Sequence, residues 1–113
     1  MPPDVKSLLF DMPQAAIGIG LFVDGKTVDD LKSDLMLRLA IGRQFEIIGE
    51  AMSRLRKASP DTVARISEYR GILSFRNVLS QGYDAVNTDT TWQIIQNMLP
   101  VLCAELERLL NEP

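Results

Sequence analysis

A seam of large apolar residues in the last third of the chain constrains the fold more than any other feature. Its members recur at spacings of three, four, three, four and three positions, so they lie on one face of an α-helix. In so short a chain such a face is more often the core of a bundle than a coiled-coil dimer seam. The seam consists of Trp92, Ile95, Leu99, Leu102, Leu106 and Leu109.

Three further helical segments precede this seam and are separated from each other by turn signals. The four helices are predicted at about 5–22, 27–58, 60–80 and from about 87 onward. Pro13 predicts a kink or a late start in the first helix, and Pro100 predicts a bend in the last. A chain of 113 residues suffices for one core. The pattern therefore predicts an all-α, up-and-down bundle of four main helices, forming a single domain over residues 1–113.

The long second helix carries more apolar surface than one core face requires. Its main stripe faces the core: Leu37, Ile41, Phe45, Ile48, Met52 and Leu55. Leu35, Leu39 and Ile47 lie on the flanks of that stripe. We therefore expect this helix to contact more than its own bundle, although core packing explains any single one of these residues.

The residue types that are missing or rare exclude several classes of function. The chain has no histidine, which excludes a serine triad or a Cys–His pair. Its one cysteine, Cys103, excludes an internal disulfide framework and, with histidine absent, argues against zinc. The first residues lack the pattern of a signal peptide, and no uninterrupted apolar run approaches the roughly 20 residues of a membrane span. We expect a cytoplasmic protein without a metal, a cofactor or a membrane partner.

The charges are unevenly distributed although the net charge is only −3. Residues 38–76 contain eight basic and four acidic side chains, whereas the remainder is strongly acidic. Solvated helix faces explain this pattern about as well as a function does. The functional interpretation is an arginine-rich middle that binds phosphates in a salt-sensitive way.

Glu46 and Glu50 are one helical turn apart and could in principle act as an acid–base pair. Because Arg43 and Arg54 flank them, ion pairing along the helix is the favoured interpretation.

Two glycines within predicted helices, Gly49 and Gly71, are interpreted as points where helices approach closely. Neither lies in a pattern that would cradle a phosphate, since no strand precedes a glycine-rich turn.

The most informative stretch runs from residue 75 to residue 84. It places Arg76 and Asn77 on the last turns of a helix, followed by Gln81, Gly82 and Tyr83 at its exit. A guanidinium fork suits a phosphodiester, and amides orient phosphate or ribose oxygens. On these grounds alone, an arginine that complements the helix dipole before a glycine stop is the simpler explanation.

This stretch resembles the Arg-x4-His-x-Tyr motif of the HEPN superfamily, specifically its HepT-like group. Residues 45–51 resemble the other hallmark of that group, and the 23–27 turn and the 92–100 segment also fit its pattern. The resemblance extends from about residue 8 to residue 110.

The resemblance implies a HEPN helical bundle that pairs as a symmetric homodimer. Members are typically metal-independent ribonuclease toxins, encoded beside a nucleotidyltransferase antitoxin that can attach AMP to the motif tyrosine. It further implies that Arg76 lines an RNA-cleaving cleft between subunits, where Asn77 supports it as the polar residue after the arginine, and that Tyr83 is the modified tyrosine.

Gln81 departs from the motif because it stands where the family has its histidine. Glutamine forms hydrogen bonds but cannot transfer a proton, and losing such a group costs about 10²- to 10⁴-fold in rate. We expect this chain to be an inactive or impaired ribonuclease.

Two alternatives remain open at the level of the sequence. A non-enzymatic dimeric module could use the same cleft to hold a nucleotide or a partner protein. A helical scaffold would instead cover Arg76 and pair it with an acid such as Glu50.

Overall fold

The predicted helices form an all-α bundle, as the apolar seams indicate. A computed structural model describes residues 2–80 and 87–112, and all regular elements in those ranges are helical. A five-residue π-helical segment, Ile94–Met98, links the last two helices. The α-helices are α1 (Pro3–Val23), α2 (Val28–Ser33), α3 (Leu35–Ala58), α4 (Pro60–Val63), α5 (Tyr69–Ser80), α6 (Thr88–Gln93) and α7 (Leu99–Leu110).

Helix α3 is the centre of the bundle and contacts α1, α2, α4 and α5, while α7 packs against α1. All six residues of the predicted α3 stripe are buried, as are the α7 residues Leu99, Leu102, Leu106 and Leu109. The radius of gyration is 14.0 Å, close to the roughly 13 Å of a compact domain of about 100 residues. The chain is therefore a compact globule around one apolar core.

The second predicted helix is wrong as a single element, because it breaks at Asp34. The Asp34 carboxylate accepts a hydrogen bond from the backbone N–H of Leu37 and so caps α3. The Arg38 guanidinium donates to the carbonyl oxygens of Leu31 and Lys32, at 3.1 and 2.7 Å. The bonds from Arg38 satisfy backbone carbonyl groups at the end of α2, and the bond to Asp34 satisfies a backbone N–H at the start of α3. Side-chain hydrogen bonds thus replace the backbone hydrogen bonds that a continuous helix would form there.

The third predicted helix is also interrupted, between α4 and α5. The backbone N–H and the hydroxyl of Ser67 both donate to the Glu105 carboxylate of α7, the hydroxyl at 2.9 Å. Ile66, next to Ser67, is fully buried. A contact 38 residues away in sequence thus takes the backbone donor that a continuous helix would use.

Pro100 interrupts the last helix through the π-helical segment that precedes it. The N–H of Leu99 donates to the carbonyl of Ile94, five residues earlier, which is the π pattern. Proline lacks an N–H, and its ring crowds the carbonyl four residues before it. The backbone hydrogen bonds just ahead of Pro100 therefore change from the α to the wider π pattern.

Helix α1 continues through Pro13, so the alternative of a late helix start is wrong. By length and composition alone α1 is long and apolar enough to cross a membrane. The sequence contains no uninterrupted apolar run of that length at this helix, because Asp4, Lys6 and Asp11 divide it. Its inner face, from Val5 to Ile19, is part of the core of the globule.

Candidate functional site

Helix α5 holds the predicted site residues next to its buried face. Ile72, Phe75 and Leu79 recur at helical spacing and are at most 7% exposed, so they anchor α5 in the core. Arg76 follows Phe75 and is half-buried, while Asn77 is exposed. The local sequence thus places the arginine at the boundary between core and solvent.

Arg76 lies against α3 at Gly49. A methyl group added to Gly49 would lie 2.6, 2.7 and 2.9 Å from Cδ, Cβ and Cγ of Arg76. Ordinary contacts between carbon atoms are about 3.5–4.0 Å, so no side chain larger than hydrogen fits there. The prediction that Gly49 is a point of close helix approach is confirmed, and Arg76 is the residue that uses it.

Gly71 confirms the same prediction in a weaker form. A methyl group there would lie 3.1 Å from Cε of Met98, the flexible end of that side chain. Helix α5 therefore approaches the π-helical segment at Gly71 and α3 at Gly49.

No ion pair joins Arg76 to an acid in the ranges 2–80 and 87–112. Glu50, the acid proposed for the scaffold alternative, is exposed beside Gly49. The pairing predicted along α3 is confirmed for Arg43 and Glu46, at 3.6 Å, but no Glu50–Arg54 pair forms. The described structure thus gives the scaffold alternative no support.

Half of the basic side chains in residues 38–76 are engaged within the fold. Besides Arg38 and Arg43, Arg65 forms a bidentate pair with Glu112, and Arg70 donates to the hydroxyl of Tyr69 at 3.0 Å. The other four have no ion pair with a described acid: Arg54, Arg56, Lys57 and Arg76. The arginine surplus available to an anion is therefore smaller than the sequence indicates.

Gln81, Gly82 and Tyr83 lie outside the described residues. The structure places Arg76 against Gly49, with Asn77 at the next position of α5, and the predicted roles of Gln81 and Tyr83 stay predictions. Within the described ranges, no three cysteine or acidic side chains are grouped as a metal site would require.

Three titratable groups with shifted pKa values lie away from this site. The hydrogen bond from Arg65 lowers the pKa of Glu112, and the pair raises the pKa of Arg65. Burial, followed by the charge of Glu107, raises the pKa of the Cys103 thiol.

Cys103 lines an apolar groove of about 200 Å³ between α1 and α7, with Ile17 on its α1 side. No local sequence pattern indicates this groove, because its walls come from helices far apart in the chain.

Comparison with known proteins identifies the family. The family model described as ribonuclease HepT-like matches residues 12–109. The chain belongs to the ribonuclease HepT-like family. The matched range contains Gly49, Arg76, Asn77, Gln81 and Tyr83, so the HepT-like resemblance read from the sequence is confirmed at the level of the family.

Several relatives of this HepT-like chain are named as putative RNases. One, from Methanocaldococcus jannaschii, is 26% identical over 96% of this chain and 89% of its own length. A second from the same archaeon is 25% identical over 92% of this chain and 94% of its own length. A third, from Caldanaerobacter subterraneus, is 29% identical over 80% of each chain. No solved structure matches the chain.

Proposed function

We propose that this HepT-like chain is the ribonuclease toxin subunit of a toxin–antitoxin pair, with an RNA site at Arg76 and a cleavage step impaired at Gln81. The observation that carries the proposal is Arg76 itself. It is half-buried on Gly49, and no described acid neutralises it.

The chemistry at Arg76 is recognition of a phosphodiester. A guanidinium fork donates two parallel hydrogen bonds to phosphate oxygens, and its charge stabilises negative charge as it develops there. Asn77, exposed on the next position of α5, supplies an amide for the ribose or phosphate. Binding of this kind needs no metal ion.

Proton transfer is the part of RNA cleavage that this chain is poorly equipped to catalyse. The ribose 2′-hydroxyl must lose a proton and the leaving oxygen must gain one. Gln81 does neither, and no histidine is present elsewhere in the chain. The chain would therefore bind RNA while cleaving it slowly or not at all.

Salt-dependent RNA binding tests the role of Arg76. Binding of a single-stranded RNA oligonucleotide is measured over a range of salt for the wild type, Arg76→Ala and Arg65→Ala. Arg65 is the matched control because the Glu112 carboxylate already holds its guanidinium in a bidentate pair. In Arg76→Ala, the loss of one phosphate contact should make the negative slope of log affinity against log salt shallower by about 0.7. The control variant should keep the wild-type slope. Equal slopes for all three proteins would contradict the proposal.

We also propose that two copies pair as a homodimer through an apolar surface on α1 and the start of α3. Among the described residues, seven of the nine large exposed apolar side chains lie there. Phe22 and Met36 line one hollow of about 230 Å³, so the end of α1 adjoins the start of α3 there. Clustered exposed apolar side chains often mark an interaction surface. The seven are Phe10, Ile17, Leu21, Phe22, Leu35, Met36 and Leu39.

The mass in solution tests the dimer. Light scattering should give about twice 12.6 kDa for the wild type, and a smaller mass for Leu21→Glu and Met36→Glu. Val101→Glu is the control, since Val101 is exposed on α7 and is not among these seven side chains. A monomeric wild type would contradict the proposal.

The proposed protein partner is a nucleotidyltransferase antitoxin that attaches AMP to Tyr83. The support is family membership together with the motif position of Tyr83. Intact-mass measurement after incubation with that enzyme and ATP should show one added adenylate, absent in Tyr83→Phe. An unchanged wild-type mass would count against the modification.

A non-enzymatic binding module is the second candidate, and the complete absence of histidine favours it. It shares the dimer and the Arg76 site but predicts no cleavage even when a histidine is restored at position 81. For either candidate we infer a cytoplasmic location without a membrane partner, supported by the single unpaired cysteine and by the buried inner face of α1.

A further inference from the structure

Gly49 differs from Gly20 and Gly71 in what its missing side chain permits. At Gly20 a methyl group would meet nothing within 4 Å, and at Gly71 it would meet the flexible end of Met98. At Gly49 it would meet three successive atoms of the Arg76 stem. Gly49 is therefore in contact with the residue proposed to bind RNA.

The contact involves the part of Arg76 that is least able to move. Cβ of Arg76, 2.7 Å from the added methyl position, is fixed by the backbone of α5. Rotation about the side-chain bonds moves Cγ and Cδ but leaves Cβ in place. A larger residue at position 49 would therefore have to displace α5 from α3 as well as redirect the stem.

We propose that Gly49 is a positioning residue of the RNA site. Because it lacks a Cβ, the Arg76 stem lies along α3, and this fixes the point and direction from which the guanidinium leaves the surface. The inference rests on the proposed function, in which Arg76 binds a phosphate. Gly49 itself does not contact RNA and acts through Arg76.

The geometry of an arginine–phosphate contact makes this positioning important. Two parallel hydrogen bonds form only when the planar fork faces the phosphate at bonding distance. The added methyl group would require a displacement on the order of 1 Å to restore ordinary carbon contacts. A shift of that size is enough to lose one bond of the fork, and with it on the order of tenfold in affinity.

A double-mutant cycle on RNA binding tests the inference. The proteins are the wild type, Gly49→Ala, Arg76→Ala, the double variant and Gly71→Ala as the matched glycine control. The probe is a fluorescein-labelled single-stranded RNA oligonucleotide, titrated over a range of salt well below the unfolding temperature. Arg76→Ala should lose the whole phosphate contact and make the salt slope shallower by about 0.7. Gly49→Ala should lose on the order of tenfold in affinity with a smaller change in slope, because the arginine charge stays near the phosphate.

The double variant distinguishes positioning from general damage to the fold. If Gly49 acts through Arg76, adding Gly49→Ala to Arg76→Ala should cost no further affinity. Gly71→Ala should bind like the wild type. Additive losses in the double variant, or wild-type affinity in Gly49→Ala, would overturn the inference.

A readout that needs no RNA separates this inference from the proposed function. The Nε–H signal of Arg76 in an NMR spectrum should move in Gly49→Ala and stay in place in Gly71→Ala. If Arg76→Ala binds RNA like the wild type, the proposed function fails, and this signal alone decides whether Gly49 positions Arg76. An Nε–H signal at the same position in the wild type and in Gly49→Ala would contradict the inference whatever the RNA experiment shows.

Discussion

The ring of Phe75 stands edge-on against the ring of Phe45, with centroids 4.9 Å apart and planes at 89°. Phe75 directly precedes Arg76, and Phe45 lies one helical turn before Gly49. The aromatic pair and the close glycine contact thus join α5 to α3 at the same place. The position of the candidate RNA-binding arginine is consequently set by core packing.

Phe75→Ala should destabilise the fold by about 3 kcal/mol, because it removes a buried ring and its edge-to-face partner. Chemical denaturation measures the loss. Val78→Ala, on the same helix but 40% exposed, should cost well below half of that and serves as the control. Equal losses for the two variants would show that Phe75 does not anchor α5.

Gly49→Ala and Gly20→Ala should change stability in opposite directions. Replacing glycine by alanine within a helix gains up to about 1 kcal/mol. At Gly20, where a methyl group meets nothing, that gain should appear as a higher unfolding temperature. At Gly49 overpacking costs about 1–3 kcal/mol, so the balance is a loss. Stabilisation by Gly49→Ala in thermal unfolding would contradict the close contact with Arg76.

The Arg65–Glu112 pair should contribute its full stability at neutral pH and lose it in acid. Its hydrogen bond lowers the pKa of Glu112, so the contribution is present above the unfolded pKa and lost as the pH falls through the folded pKa. Wild type and Glu112→Gln should therefore differ in unfolding temperature at neutral pH and converge in acid. The control, Glu107→Gln, removes one negative charge from α7 and leaves the Arg65–Glu112 pair intact. A difference between wild type and Glu112→Gln that persists in acid would rule out the pair as its cause.

Cys103 should react slowly with iodoacetamide at mildly alkaline pH. Burial and then Glu107 raise its pKa, and the thiolate is the reactive form. Denaturing the protein with urea should accelerate the reaction, and Glu107→Gln should accelerate it by a smaller factor. Equal rates in the folded and the unfolded protein would show that the groove does not shield the thiol.

Local signals predicted most of the fold, whereas its breaks depend on groups distant in sequence. Thr27 and Asn87 cap α2 and α6 at the predicted helix starts of about residues 27 and 87, since the partners of a helix cap lie within three residues. The break at Ser67 depends on Glu105, which no local pattern indicates.

The candidate site also combines features that local sequence predicts with one that depends on residues distant in sequence. Local sequence predicted Arg76 and Asn77 near the end of a helix and Gly49 at a close approach. It could not predict that Gly49 and Arg76 meet, because that pairing depends on how α3 and α5 pack across 27 residues of sequence.

RNA cleavage by the wild type, Gln81→His and Gln81→His with Arg76→Ala tests the central claim most directly. If the chain is a HepT-like ribonuclease impaired at Gln81, histidine should raise the cleavage rate by about 10²- to 10⁴-fold without added metal. The arginine substitution should abolish that gain. No cleavage by Gln81→His on any RNA, or cleavage that persists without Arg76, would contradict the claim.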